Sequence, residues 1–179
     1  MGNYRPICDT WILARPRLAE GKRYYGTYPL GFVERARALL GVHISDPVLH
    51  VCSGLVRHYP YQRRAVGPND KTLDLDPLNN PDFCQDARHS YPSGFRAILA
   101  DPPYSPDDAD HYAPGRDKLP TAGVIAKNGI AAVEIGRRVG ILDYVWAKPP
   151  ANAMEVATVT VLLGRNMRAR CYTVLERVS

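Results

Sequence analysis

Four consecutive residues of this chain, Asp101, Pro102, Pro103 and Tyr104, combine side chains that together suit chemistry. They follow directly on the apolar run FRAILA at 95–100, which puts them at the end of a strand. A carboxylate accepts hydrogen bonds and donates none. Two prolines stiffen the backbone and leave carbonyls with no local N–H partner. A tyrosine face can stack on a base, a contact worth about 1–3 kcal/mol. Such a turn can hold an amine for attack on an electrophile, with positioning and electrostatics supplying most of the catalysis. Taken alone, the string also suits a rigid turn leaving a strand.

The elements that must position these residues are short. The run at 47–52 (PVLHVC) ends in Ser53-Gly54, and that at 72–75 (TLDL) ends in Asp76-Pro77. Apolar runs bounded by turn residues read as buried strands. The spacing predicts a helix over 30–40, with Phe32, Val33, Ala36, Leu39 and Leu40 on one face and Gly41 as its stop. A second helix is expected from Val124 to Val139, weakened by Gly129 and Gly136. Further strands are expected at 141–147, 155–163 and 169–176, the last two joined as a hairpin. Residues 1–27 show little periodicity and read as an irregular arm, and 105–120 as a mobile loop beside the Asp101 turn. The expectation is one α/β domain over 1–179, with a mostly parallel sheet and a C-terminal antiparallel hairpin. In such sheets the ligand crevice lies at the carboxyl ends of the strands.

Composition limits the alternatives. The 179 residues are 45% hydrophobic and carry a net charge of +5 with a pI of about 9.1, which suits an acidic partner such as phosphate. No apolar run approaches the roughly 20 residues of a membrane span, and the first residues lack the apolar stretch of a secretory signal. The four cysteines are scattered with no C-x-x-C pair, and the five histidines form no ligand pattern. Reduced thiols, no metal and a cytoplasmic location are therefore expected.

The D-P-P-Y string at 101–104 resembles the catalytic motif of S-adenosylmethionine-dependent amino-methyltransferases, notably the N6-adenine DNA methyltransferases. The resemblance implies a Rossmann-like class I methyltransferase fold and S-adenosylmethionine as cofactor. It also implies that Asp101 and Pro102 hold the exocyclic amine, with Pro103 stiffening the turn and Tyr104 stacking on the base. Val48 to Gly54 is similar to the family's first strand and glycine loop, which places His50, Cys52, Ser53 and Gly54 against the methionine part of the cofactor. The family usually has an acid where His50 stands, and a second glycine where this chain has Leu55 or Val56. Asp74 and Asp76 are candidates for the ribose hydroxyls, with Asp76 favoured because it lies nearer the strand end. Asp86 and Ala87 resemble the element that contacts the cofactor adenine, and Tyr28-Pro29 the element that encloses its methionine end.

The substrate implied is nucleic acid, DNA ahead of RNA. Basic and aromatic residues interleave at 58–64 and 15–25, and Arg165, Arg168 and Arg170 mark the hairpin. The core consumes nearly the whole chain, so recognition is expected to be relaxed or shared with a partner subunit or a second copy. Two alternatives stay open: an RNA adenine or guanine N-methyltransferase, and a noncatalytic methyltransferase-like subunit that binds nucleic acid.

Overall fold

The computed structural model describes residues 5–14, 28–58, 66–104, 119–164 and 169–179. Its strands are β1 Ile7–Leu13, β2 Val48–Val51, β3 Lys71–Asp74, β4 Phe83–Cys84, β5 Ala97–Ala100, β6 Arg138–Asp143, β7 Ala153–Leu163 and β8 Arg170–Arg177. Among the described residues two α-helices flank them, α1 Phe32–Leu40 and α2 Ala122–Ala132. The strands form one sheet in the order β1-β7-β8-β6-β5-β2-β3-β4. Only β8 runs against its neighbours, pairing antiparallel with both β6 and β7.

Burial explains the strand sequences. β2 and β5 are buried at every position and lie next to each other inside the sheet, which is why they read as apolar runs, broken only by the buried His50. One face carries α1, whose Phe32, Val33, Ala36 and Leu40 pack with Val48, Leu99 and Tyr172. The other carries α2, whose Ile125, Ala126 and Ile130 pack with Leu49, Ile98 and Val139. Gly41 ends α1 in a left-handed conformation (φ 68°), its N–H and that of Val42 closing on the carbonyls of Ala38 and Arg37.

Two expectations about elements are corrected. Part of the N-terminal stretch read as irregular, Ile7–Leu13, is an edge strand parallel to β7. It buries only Trp11 and Leu13, too few side chains to leave a clear alternation. Trp11 seats against Phe32 and Tyr172, with ring centroids 6.1 and 5.9 Å away. The second helix also stops at Ala132 rather than running on to Val139. Val133 is extended, Gly136 turns at φ 78°, and Val139 belongs to β6. Val139 instead packs under α2: a Cβ on Gly129 would lie 2.8 Å from the Val139 side chain.

Candidate active site at the carboxyl edge of the sheet

The chain leaves β2 toward β3 on one side and pairs with β5 on the other, so the strand order reverses between β2 and β5. Ligands of open α/β sheets sit at such a switch point. The register brings the expected residues there. Val51 is opposite both Ala100 and Leu73, and Asp74 is opposite Cys84. The residues that follow therefore emerge side by side: Asp86 beyond β4, Asp74 ending β3, Cys52 to Gly54 beyond β2, and Asp101 beyond β5. Backbone bonds lock this edge, from Asp101 N–H to the Val51 carbonyl (3.2 Å), Ser53 N–H to Leu73 (3.3 Å) and Gln85 N–H to Asp74 (3.0 Å).

Electrostatics report the same convergence. Burial pushes the Cys52 thiol well above its ordinary pKa, and the charges of Asp74, Asp101 and Asp86 push it further. Three acids from three strands thus act on one sulfur, which stays protonated and is a poor nucleophile. Cys52 itself adopts a left-handed backbone (φ 54°), as does Gly54 (φ 48°), and between them Ser53 is buried.

The two carboxylates of the TLDLD segment have different surroundings. Asp74 Oδ2 accepts from Gly54 N–H at 2.7 Å, and its Oδ1 from Asp76 N–H and Asn79 Nδ2 at 3.0 and 3.2 Å. Asp76 instead caps the short 3₁₀ turn Pro77–Asn79 through Leu78 N–H. Asp86 is held by Arg88, whose guanidinium and backbone N–H keep its carboxyl below the usual range. Ala87 is buried, and its carbonyl accepts from the Tyr91 hydroxyl at 2.9 Å.

At the Asp101 turn, the Tyr104 hydroxyl donates to Asp101 Oδ1. The Tyr104 ring lies 4.5 Å from that of Tyr144, and the Arg170 guanidinium sits 4.8 Å from its centre. Burial pushes the Tyr104 phenol well up, and the Asp101 charge adds to this. Tyr144 was not legible as a site residue, and Arg170 was legible only as part of a basic hairpin edge. The register explains their position: Asp143 is opposite Cys171, so the residue after β6 faces the first residue of the reversed strand β8. Against the cost of burial, Tyr104, Asp101 and a hydrogen bond with Tyr144 hold Arg170 above its ordinary pKa.

No protein-family model matches this sequence, and no curated protein matches it either. Solved structures do match the fold. TrmN from Thermus thermophilus superposes with a TM-score of 0.62 over 84% of this chain at 18% identity, this chain spanning 49% of TrmN. An rRNA methylase from Streptococcus thermophilus gives 0.51 over 90% of this chain and all of its own, at 10% identity. A protein from Pyrococcus horikoshii described as a candidate RNA methyltransferase gives 0.55 at 10% identity, covering 84% of this chain and 83% of its own. The fold is that of the class I methyltransferases.

The sequence resemblance implies S-adenosylmethionine at this edge, and two buried polar atoms there suit a bound polar group. Ser53 Oγ and His50 Nδ1 are buried with no hydrogen-bond partner among the described residues. Buried polar atoms of this kind call for a partner. Ser53 lies in the turn itself, and His50 lies near the end of β2. The other nitrogen of His50, Nε2, is 3.1 Å from Asp70. Tyr28 is buried beside it, stacked on Phe32 (5.3 Å) and edge-on to His50 (6.4 Å). Asp70 is a further residue that sequence reasoning missed. Fully buried, its carboxylate binds Arg37, His50 and the N–H groups of Val48 and Gly67. The expected 105–120 loop (as far as residue 118), the basic stretch at 59–64, the residues at 15–25, and Arg165 and Arg168 lie outside the described residues.

Proposed function

We propose that this protein is an S-adenosylmethionine-dependent methyltransferase that modifies an exocyclic amine of a nucleic-acid base. The observation that carries the reading is the placement of Asp101. It stands at the switch point, one strand from the Cys52 to Gly54 turn, with Asp74 and Asp86 on the far side of that turn. Asp74 is the ribose ligand in this reading, because it ends β3 against Gly54 while Asp76 is spent as a cap. Asp86 contacts the adenine, and Tyr28-Pro29, His50 and Ser53 line the methionine end. When bound, the cofactor supplies an electrophilic methyl group.

The protein's own part is to hold the acceptor. The lone pair of an exocyclic amine is delocalised into its ring, which makes the nitrogen a poor nucleophile. The Asp101 carboxylate and the Pro102 carbonyl accept its two N–H bonds and hold it pyramidal, which localises the lone pair. The incoming amine takes the place on Asp101 that the Tyr104 hydroxyl holds in the structure, and the freed Tyr104 ring stacks on the base.

An acid as first residue of the motif favours adenine N6. The two matched structures described as RNA methylases support RNA as the alternative to DNA. Incubating DNA and RNA separately with labelled cofactor, followed by mass identification of the methylated nucleoside, tests the reading. Label in N6-methyladenosine from RNA, or in N6-methyl-2′-deoxyadenosine from DNA, supports it. No label in any base contradicts it.

A further inference from the structure

Directly beyond β6, Tyr144, Val145 and Trp146 stand exposed in succession, at 36, 58 and 49%. Contiguous exposed apolar surface is a feature of interaction sites. This stretch is held firmly. Asp143 Oδ1 accepts from the Tyr144 and Val145 N–H groups at 2.5 and 3.4 Å. The buried Ala147 donates its N–H to Thr173 Oγ1 on β8 at 3.3 Å. The Trp146 indole N–H donates to Glu155 Oε2 on β7 at 2.9 Å. The indole's one donor is thus satisfied from within the protein, and what it offers to solvent is ring surface.

That surface begins at the Asp101 turn and runs back toward β7, where Trp146 meets Glu155. Tyr104 touches Asp101, Tyr144 touches Tyr104, and Trp146 follows two residues on. Cations accompany the rings: Arg170 lies over Tyr104, and Lys148 is exposed two residues past Trp146. Fixed aromatic faces beside cations suit a flat base joined to a phosphate.

We propose that Tyr144 and Trp146, with Arg170 and Lys148, form a platform that stacks the nucleotide next to the target base of a single-stranded nucleic acid. The proposal rests on the methyltransferase reading for the identity of the target. In a duplex that neighbouring base is already stacked and paired, so the platform favours single strands or unpaired loops.

Tryptophan emission tests this directly, because Trp146 is exposed and the only other tryptophan, Trp11, is 7% exposed in the core. The protein is titrated with a short single-stranded oligonucleotide, as RNA and as DNA, and with the matching duplex. Affinity is followed in parallel from the anisotropy of a labelled strand. Expected are quenching in the wild type, loss of that quenching in Trp146→Ala, and affinity reduced about five- to a hundredfold, the range for one stacked base. The single strand binds more tightly than the duplex. Absence of quenching, or wild-type affinity in a folded Trp146→Ala variant, overturns the platform. Methyl transfer is measured on the same samples. Quenching without transfer to any base upholds the platform and removes the methyltransferase reading; transfer with unchanged Trp146→Ala affinity does the reverse.

Discussion

Both oxygens of Asp74 already face donors, Gly54 N–H on one side and Asp76 N–H with Asn79 on the other, yet a carboxylate oxygen has room for two acceptor contacts. The oxygen bonded to Gly54 can therefore still take a hydroxyl. Asp76 has spent its side chain on Leu78 N–H. Removing Asp74 should weaken S-adenosylmethionine binding about ten- to a hundredfold, from loss of a charged hydrogen bond at roughly 1.5–3 kcal/mol. Removing Asp76 should cost about 1 kcal/mol of stability, as lost caps do, and leave cofactor affinity unchanged. Calorimetry on Asp74→Ala and Asp76→Ala distinguishes the two, and equal losses would sink the assignment of Asp74. The sequence offers both acids at the right place but does not tell a strand-end acid from a cap. Only the register of β3 against β4 and the turn at Gly54 separates them.

Among the elements, what was legible follows from burial. β2 and β5 are covered on both faces, so their sequences are apolar except for the buried His50, and the residues just after them had to lie at one edge. β1 escaped because an edge strand that buries two side chains leaves almost no pattern. Tyr144 escaped for another reason, and Arg170 was marked only as a basic residue of the hairpin: neither has a motif, and each reaches the Asp101 turn only because β8 is reversed and in register with β6. That pairing has a steric signature. A Cβ on Gly140 would lie 2.3 Å from the Tyr172 hydroxyl and 2.8 Å from its ring, and Tyr172 is fully buried. Gly140→Ala should therefore destabilise the protein by about 1–3 kcal/mol, the range for overpacking a core. A melting temperature equal to the wild type would show that β6 and β8 are not packed as described. Among the described residues, no helix is long and apolar enough to cross a membrane.

Across the whole molecule, two carboxylates tie distant segments together. Asp70 joins α1 through Arg37, β2 through Val48 and His50, and its own loop through Gly67. Asp82 joins β3 to Arg57 through Thr72, Lys71 and Arg57 itself. Burial opposes both charges, but these bonds prevail: Asp70 is held below its ordinary pKa, chiefly through His50, and Asp82 is brought down to about 2. A carboxyl group whose pKa is lower folded than unfolded contributes stability above the unfolded value, near 3.9, and loses it as pH falls through the folded value. Thermal stability should thus lose the contribution of these two groups as pH falls below about 4, that of Asp82 being exhausted only below about 2. Asp70→Ala, which strands Arg37 in the interior, should cost about 3–5 kcal/mol at neutral pH. Denaturant titrations across pH check both, and a melting temperature at pH 2 equal to that at pH 6 would contradict the linkage.

Asp101 stands at the carboxyl edge beside Cys52 and Tyr104, and the +5 charge of the chain suits a polyanionic substrate without identifying it. The most direct test is methyl transfer from labelled S-adenosylmethionine to nucleic acid by the wild type and by Asp101→Ala, with cofactor affinity measured on the same preparations. The account predicts transfer by the wild type and a loss of at least about a hundredfold in the variant, the scale for removing one transition-state contact. It also predicts that cofactor affinity is retained. Transfer by Asp101→Ala at the wild-type rate would contradict the account.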